Sequence, residues 1–153
     1  MLLTFKTMSK EEMYHMIHSV YSEASYDVAK KEHKTIPEAE QYYVEKFLDK
    51  FKNRNETTYY VWEVNGEWVS ALRLTRLDDF YFMGALETAP EHRRKDYASQ
   101  LVQTLIQKLE DKHVIIRSKV RKTNIASLRT HQKCGFIIEE EKEDCFYRML
   151  YQR

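Results

Sequence analysis

The amino-acid sequence predicts a mixed α/β protein, in which a central, largely antiparallel sheet is covered by helices on both faces. Three observations predict it: two amphipathic helical patterns before residue 57, strand-like runs between 57 and 88 joined by a hairpin signal, and a strand, helix, strand unit spanning 80 to 120. With 153 residues, 42% hydrophobic and 13% aromatic, the chain has ample material for a buried core, and residues 1–153 read as a single domain.

Leu2 to Thr7 is the first strand candidate. Ser9 followed by Glu12 has the spacing of a capping box, in which each side chain satisfies a free amide of the other at a helix start. Met13, Met16, Ile17, Val20 and Ala24 continue that helix on one face. Thr35-Ile-Pro37-Glu38 opens a second helix with proline in its first turn, and Tyr43, Phe47 and Phe51 mark its buried stripe. From Thr57 the pattern turns to Tyr, Val, Trp and Leu. Asn65-Gly66 is a two-residue hairpin signal joining strands at 57–64 and 67–76. After Leu77-Asp-Asp79, the run FYFMGALET adds a third antiparallel strand. Tyr97, Leu101, Leu105 and Leu109, flanked by Ala98, Val102 and Ile106, predict a helix from Arg94 to Lys112. A buried strand from His113 to Val120, a short helix from Asn124 to Cys134 stopped by Gly135, and a hairpin from Phe136 to Tyr151 complete the chain. FYFMGALET, the long helix and VIIRSKV form a right-handed crossover between parallel strands.

A net charge of +1 lacks the strong positive field of a dedicated nucleic-acid binder, so any basic site is local. Cys134 and Cys145 form neither a disulfide framework nor a zinc pattern, and reduced thiols in a cytoplasmic protein are the expectation. No apolar run approaches the ~18 residues of a membrane span. His15 and His18, three apart on the first helix, have no completing metal ligands and read as partly exposed helix residues.

The chemistry concentrates in Ala89 to Gln100, APEHRRKDYASQ. Amides in the first turn of a helix lack intrahelical partners and sit at the positive end of its dipole, so a strand-turn-helix makes an anion cradle. Arg93, Arg94 and Lys95 lie at that turn and favour a phosphate or diphosphate there. The alternative is a solvated surface run of cations.

Arg93-Arg-Lys-Asp-Tyr-Ala98 resembles the Arg/Gln-x-x-Gly-x-Gly/Ala motif of the GCN5-related N-acetyltransferases (GNAT). Asn124-Ile-Ala-Ser-Leu-Arg-Thr-His131-Gln-Lys-Cys-Gly135-Phe136 is similar to the family's Asn-helix-Gly-Phe motif. The resemblance implies the acyl-CoA N-acyltransferase fold and transfer of an acetyl group from acetyl-CoA to a primary amine. It implies a diphosphate held by the backbone amides of Arg93, Arg94, Lys95, Asp96, Tyr97, Ala98 and Ser99. It also implies a pantetheine arm beside the backbone of Leu86 to Thr88 near a bulge, with contacts from Asn124 and Ser127. No metal is implied, and the partner is a small-molecule or peptide amine rather than nucleic acid or membrane. Family members often pair, which makes a homodimer an expectation.

Two residues depart from the pattern. Asp96 replaces the motif's first glycine, and His131 stands where many relatives carry a tyrosine that protonates the leaving thiolate. Histidine can perform that task near neutral pH, or serve only as a helix residue. Glu87, the only acid between Phe80 and Ala89, is the candidate base for the acceptor amine; the alternative is an acid satisfied by Arg73 on the adjacent strand. By analogy with the family, Tyr21, Glu23, Tyr26 and His33 line the acceptor cleft. Two other readings remain: a CoA-binding relative with little catalysis, and a nucleic-acid module using Arg93 to Lys95, Lys119, Arg121 and Lys122.

Overall fold

A computed structural model describes residues 1–153. Seven strands form one sheet: β1 (Leu2–Phe5), β2 (Thr57–Val64), β3 (Glu67–Arg76), β4 (Tyr81–Thr88), β5 (Ile115–Arg121), β6 (Ile137–Glu141) and β7 (Phe146–Gln152). Their order is β1-β2-β3-β4-β5-β7-β6, and every neighbouring pair is antiparallel except β4 and β5. The mixed, largely antiparallel sheet is the one expected.

Helices α1 (Lys10–Val20), α2 (Ser22–Lys31) and α3 (Ile36–Asp49) lie between β1 and β2. The predicted capping box of Ser9 with Glu12 forms, and the helix expected to open at Thr35 does so with a capping box of its own, Thr35 with Glu38. The expectation of two helices before β2 is corrected to three. Tyr21, at φ −104° and ψ 24°, ends α1 and begins α2, so Ala24 belongs to a separate helix. The buried stripe of α3 is also corrected: Ala39, Glu40, Val44 and Phe47 are buried, whereas Tyr43 and Phe51 are half-buried. Glu40 is held by His18, whose Nδ1 lies 2.5 Å from its Oε2.

Helix α4 (Tyr97–Lys108) and helix α5 (Ile125–Lys133) flank β5 in the chain. α4 is shorter at both ends than its apolar pattern predicts. Arg94 and Asp96 have φ of +65° and +66°, which no right-handed helix accepts, and Leu109 is already extended at φ −72° and ψ 117°.

The apolar interior divides by sheet face. Leu72, Leu74, Met83, Ile116, Val120 and Met149 pack beneath α4 with Leu101, Val102 and Leu105. Tyr59, Val61 and Ala71 pack beneath Met13, Met16, Ile17 and Val20 of α1, with Val44 and Phe47 of α3. Alternation along β4 and β5 therefore assigns each side chain a layer. No helix is long and apolar enough to cross a membrane.

Candidate active site

β4 and β5 pair only at Tyr81 with Ile116 and Phe82 with Arg117. Beyond these the strands run on, β4 to Thr88 and β5 to Arg121, without pairing, so the centre of the sheet opens toward their C-terminal ends. Open sheets with parallel strands bind ligands at such an end.

A bulge shapes the β4 rim of this opening. Ser70 faces Thr88 and Ala71 faces Glu87, but Arg73 faces Gly84, so Ala85 and Leu86 together oppose Leu72. Ala85 has φ +55°, a left-handed backbone that a non-glycine residue holds only under outside constraint. One constraint is the Tyr21 hydroxyl, which donates to Ala85 O at 2.5 Å. Burial pushes the Tyr21 phenol well above its ordinary range, so it stays protonated and remains a donor. Leu86 turns toward the α4 core and Ala85 toward the α1 to α3 layer.

Glu87 shares the face of Tyr21. Its Oε1 accepts from Arg93 Nη2 at 3.2 Å and from the Thr88 amide at 3.3 Å. Arg93 also donates to Glu23 Oε2 at 2.6 Å and to Thr88 O at 3.3 Å. One guanidinium thus bridges two carboxylates. Burial raises the Glu87 pKa above the usual carboxylate range, with Arg93 opposing the shift. The alternative partner, Arg73, is not used. The bulge shifts Arg73 opposite Gly84, and its guanidinium lies over the rings of Phe47 and Tyr59, 5.5 and 6.0 Å from their centroids.

The turn after β4 passes through a short 3-10 segment, Pro90–His92, and then Arg93 to Asp96. Arg94 and Asp96 both hold left-handed φ angles, so the backbone turns sharply just before α4 and brings its first-turn amides to the rim of the opening. The amides of Tyr97, Ala98 and Ser99 precede the first helical bond, Gln100 N–H to Asp96 O at 3.1 Å, and no side chain caps them. The Asp96 carboxylate turns away to Lys133 of α5, whose Nζ lies 2.7 Å from Oδ2, and this contact lowers its pKa. Arg94 and Lys95 are exposed.

On the opposite rim, Asn124 Oδ1 accepts from the Ser127 amide at 3.1 Å and begins α5. His131, four residues after Ser127, is 2% exposed. Its Nδ1 lies 2.7 Å from Ser127 O, which can only accept, so Nδ1 carries the hydrogen. Nε2, 3.0 Å from Ser118 Oγ, is then the acceptor in a neutral ring. Burial lowers the His131 pKa and favours that neutral form. The structure thus brings Glu87 and Arg93 together on the α1 and α2 side, with the Arg93 to Ser99 amides at the adjoining turn. It places His131 on the other face of the sheet with both nitrogens engaged.

Among the contacts not anticipated from sequence are the Tyr21 hydroxyl on Ala85 and the Arg93 bridge to Glu23. Ile17 and Tyr21 share a helix face, a local signal for the first; the second joins residues 70 apart and has none. Of the other cleft candidates, Tyr26 is 55% exposed and His33 is an exposed turn residue at φ +53°. A cavity of about 350 Å³ opens at the N-terminal ends of β4 and β5, lined by Arg76, Tyr81, Asp111 and His113, and contains none of the candidate residues. No group of three or more His, Cys, Asp or Glu is placed to hold a metal ion.

The family model for the GNAT acetyltransferases matches residues 13–136. The chain belongs to the GNAT acetyltransferase family. Solved structures of GNAT proteins share its fold across its length. PaiA N-acetyltransferase from Thermoplasma acidophilum in complex with coenzyme A is 16% identical, with a TM-score of 0.74 covering 100% of this chain and 99% of that one. An N-acetyltransferase from Staphylococcus aureus Mu50 is 13% identical, with a TM-score of 0.70 over 97% and 100%. The Campylobacter jejuni N-acetyltransferase PseH in complex with acetyl coenzyme A is 16% identical, with a TM-score of 0.67 over 100% and 98%. No curated protein matches the chain significantly in sequence.

Proposed function

We propose that residues 1–153 act as one domain that transfers an acetyl group from acetyl-CoA to a primary amine by direct attack in a ternary complex. The observation that carries this reading is the uncapped turn from Arg93 to Ser99, with two left-handed non-glycine residues, beside the opening between β4 and β5. A diphosphate on those amides directs the rest of the coenzyme into the opening, between the Leu86 to Thr88 backbone and the Asn124 and Ser127 end of α5. The bulge turns backbone out of the β3 ladder, where amides can meet the oxyanion that forms at the thioester carbonyl. Fixed donors of this kind are a large catalytic contribution in many enzymes.

Glu87 is the candidate base, acting directly or through water. Glu87 takes one proton from the ammonium, and the freed lone pair attacks the carbonyl carbon. As the tetrahedral intermediate collapses, the C–S bond breaks and the nitrogen passes its second proton through water to the departing sulfur, giving amide and thiol. A thiol of ordinary acidity is a competent leaving group near neutral pH, so the step does not depend on a proton from His131. His131 instead fixes α5 to β5.

A second reading, a coenzyme binder with little catalysis, draws on the Arg93 guanidinium that occupies Glu87. Mixing protein with acetyl-CoA and a panel of amines while following free thiol decides between them. Acetyl-CoA binding with thiol release supports transfer; binding without release for every amine supports the binder.

A further inference from the structure

On the face of the sheet that carries Glu87, the far side of the opening is basic. Phe82 pairs with Arg117, which places Arg117, Lys119 and Arg121 of β5 on the Glu87 face; β7 adds Phe146 opposite Arg121 and Arg148 opposite Lys119. The apolar cluster beneath α1 to α3 draws on β2, β3 and β4 and on no residue of β5, β6 or β7, so Lys119 and Arg121 stand exposed.

The neighbouring β6 to β7 hairpin is rich in acids, yet they are directed elsewhere. Glu139 holds Arg117, Asp144 holds Arg148, and Glu141 holds Lys122. Lys119 and Arg121 have no carboxylate within 4.0 Å. Both lie over the Phe146 ring, at 5.9 and 5.1 Å from its centroid. An aromatic face orients a cation without neutralising it. Across the opening, Arg93 bridges Glu23 and Glu87, and Arg73 lies on the same face without a carboxylate partner, so that wall is close to neutral. The unpaired cations of the β5 wall make it the more basic of the two.

We infer that the acceptor is a small molecule carrying its primary amine and an acidic group, carboxylate or phosphate, on one short scaffold, with the amine toward Glu87 and the anion on Lys119 and Arg121. The inference rests on the acetyl-transfer reading and names its substrate class. Paired strands lie ~5 Å apart, and β4 and β5 have separated at this level, so their backbones stand more than ~5 Å apart and the long Lys119 and Arg121 side chains span the remaining distance to the acceptor. Arginine pairs a planar fork with either anion, and a charge-assisted contact of this kind fixes the scaffold so that the amine faces the thioester.

The test follows thiol release from acetyl-CoA with β-alanine, γ-aminobutyrate and phosphoethanolamine, with ethanolamine and the amide counterparts of the acids, and with putrescine. We expect kcat/KM for an anionic acceptor to exceed that of its uncharged counterpart by about tenfold or more. The ranking of carboxylate against phosphate identifies the anion. In a Lys119→Gln, Arg121→Gln double variant the ratio should fall toward unity, with CoA affinity and unfolding midpoint as checks on folding. A separate readout is calorimetric binding of N-acetyl-γ-aminobutyrate to the CoA complex, lost in the double variant. Equal or better turnover of ethanolamine or putrescine, or a preference that survives the double substitution, overturns this inference and leaves acetyl transfer standing. Absence of thiol release with every amine overturns acetyl transfer and this inference together.

Discussion

Replacing Asp96 tests the proposed coenzyme site directly, because conformation and charge separate there. Asp96 sits at φ +66° at the entrance to α4, with its carboxylate 2.7 Å from Lys133. A phosphate charge about 5 Å from that carboxylate is repelled by ~0.8 kcal/mol at the dielectric of water and ~3 kcal/mol at an effective dielectric of 20. The side chain is 46% exposed and partly neutralised by Lys133, which places the value near the lower end for each charge. A diphosphate carries more than one, so the penalty is about 1–2 kcal/mol, or ~5- to 30-fold in Kd. Asp96→Asn removes the charge and keeps a residue that tolerates the left-handed region. Asp96→Gly also relieves the backbone, by about 1 kcal/mol, which the greater freedom of glycine in the unfolded chain roughly cancels. Both variants should therefore bind CoA more tightly by similar factors, and both should free Lys133 to face the phosphates. Calorimetric titration of CoA at low and moderate salt is the assay, and the gain should shrink as salt rises. Unchanged or weaker binding in both variants would refute a diphosphate at this turn.

Three further outcomes follow from the same geometry. Glu87→Gln should lower kcat/KM by about 10²- to 10⁴-fold, and the acid limb of the wild-type profile should lie above the ordinary carboxylate range because burial raises that pKa; a loss below tenfold excludes Glu87 as the base. Tyr21→Phe leaves Ala85 O without its donor and should cost about 1–3 kcal/mol, read as a fall of several degrees in Tm; an unmoved Tm would mean the bulge is held by other contacts. The folded-state pKa of His131 is depressed, so its unfolded form binds protons first as pH falls. The stability it contributes is complete above ~6.5 and is lost as pH drops toward the folded value. Urea midpoints between acidic and neutral pH should show a shallower slope for His131→Gln than for wild type, and identical slopes would contradict a buried neutral ring.

Local chemistry made much of the fold legible in the sequence. The Ser9 and Thr35 capping boxes and the Asn65-Gly66 turn depend on neighbours within a few residues, and each forms where its pattern stands. The break between α1 and α2 falls at Tyr21, with neither glycine nor proline to mark it, and was not legible. The apolar repeat of α4 begins before the helix does, since burial and backbone conformation part company at Arg94 and Asp96. Site geometry was readable where one element presents it, as with the amides of the α4 turn. It was not readable where register decides. Glu87 faces Ala71, and the bulge at Ala85 moves Arg73 one residue further away, opposite Gly84, which leaves that acid to Arg93.

Because β4 and β5 share only two residue pairs, the molecule is stitched at mid-sheet by little main-chain bonding. Side chains beneath α4, drawn from both strands, do most of the joining. A ligand that bonds both rims would complete the missing ladder as a clasp. Without it, the amide protons of Ala85 and Leu86, which have no partner in the β3 ladder, should trade with solvent as quickly as those of surface turns, despite their central position, and the two half-sheets should loosen before either one melts.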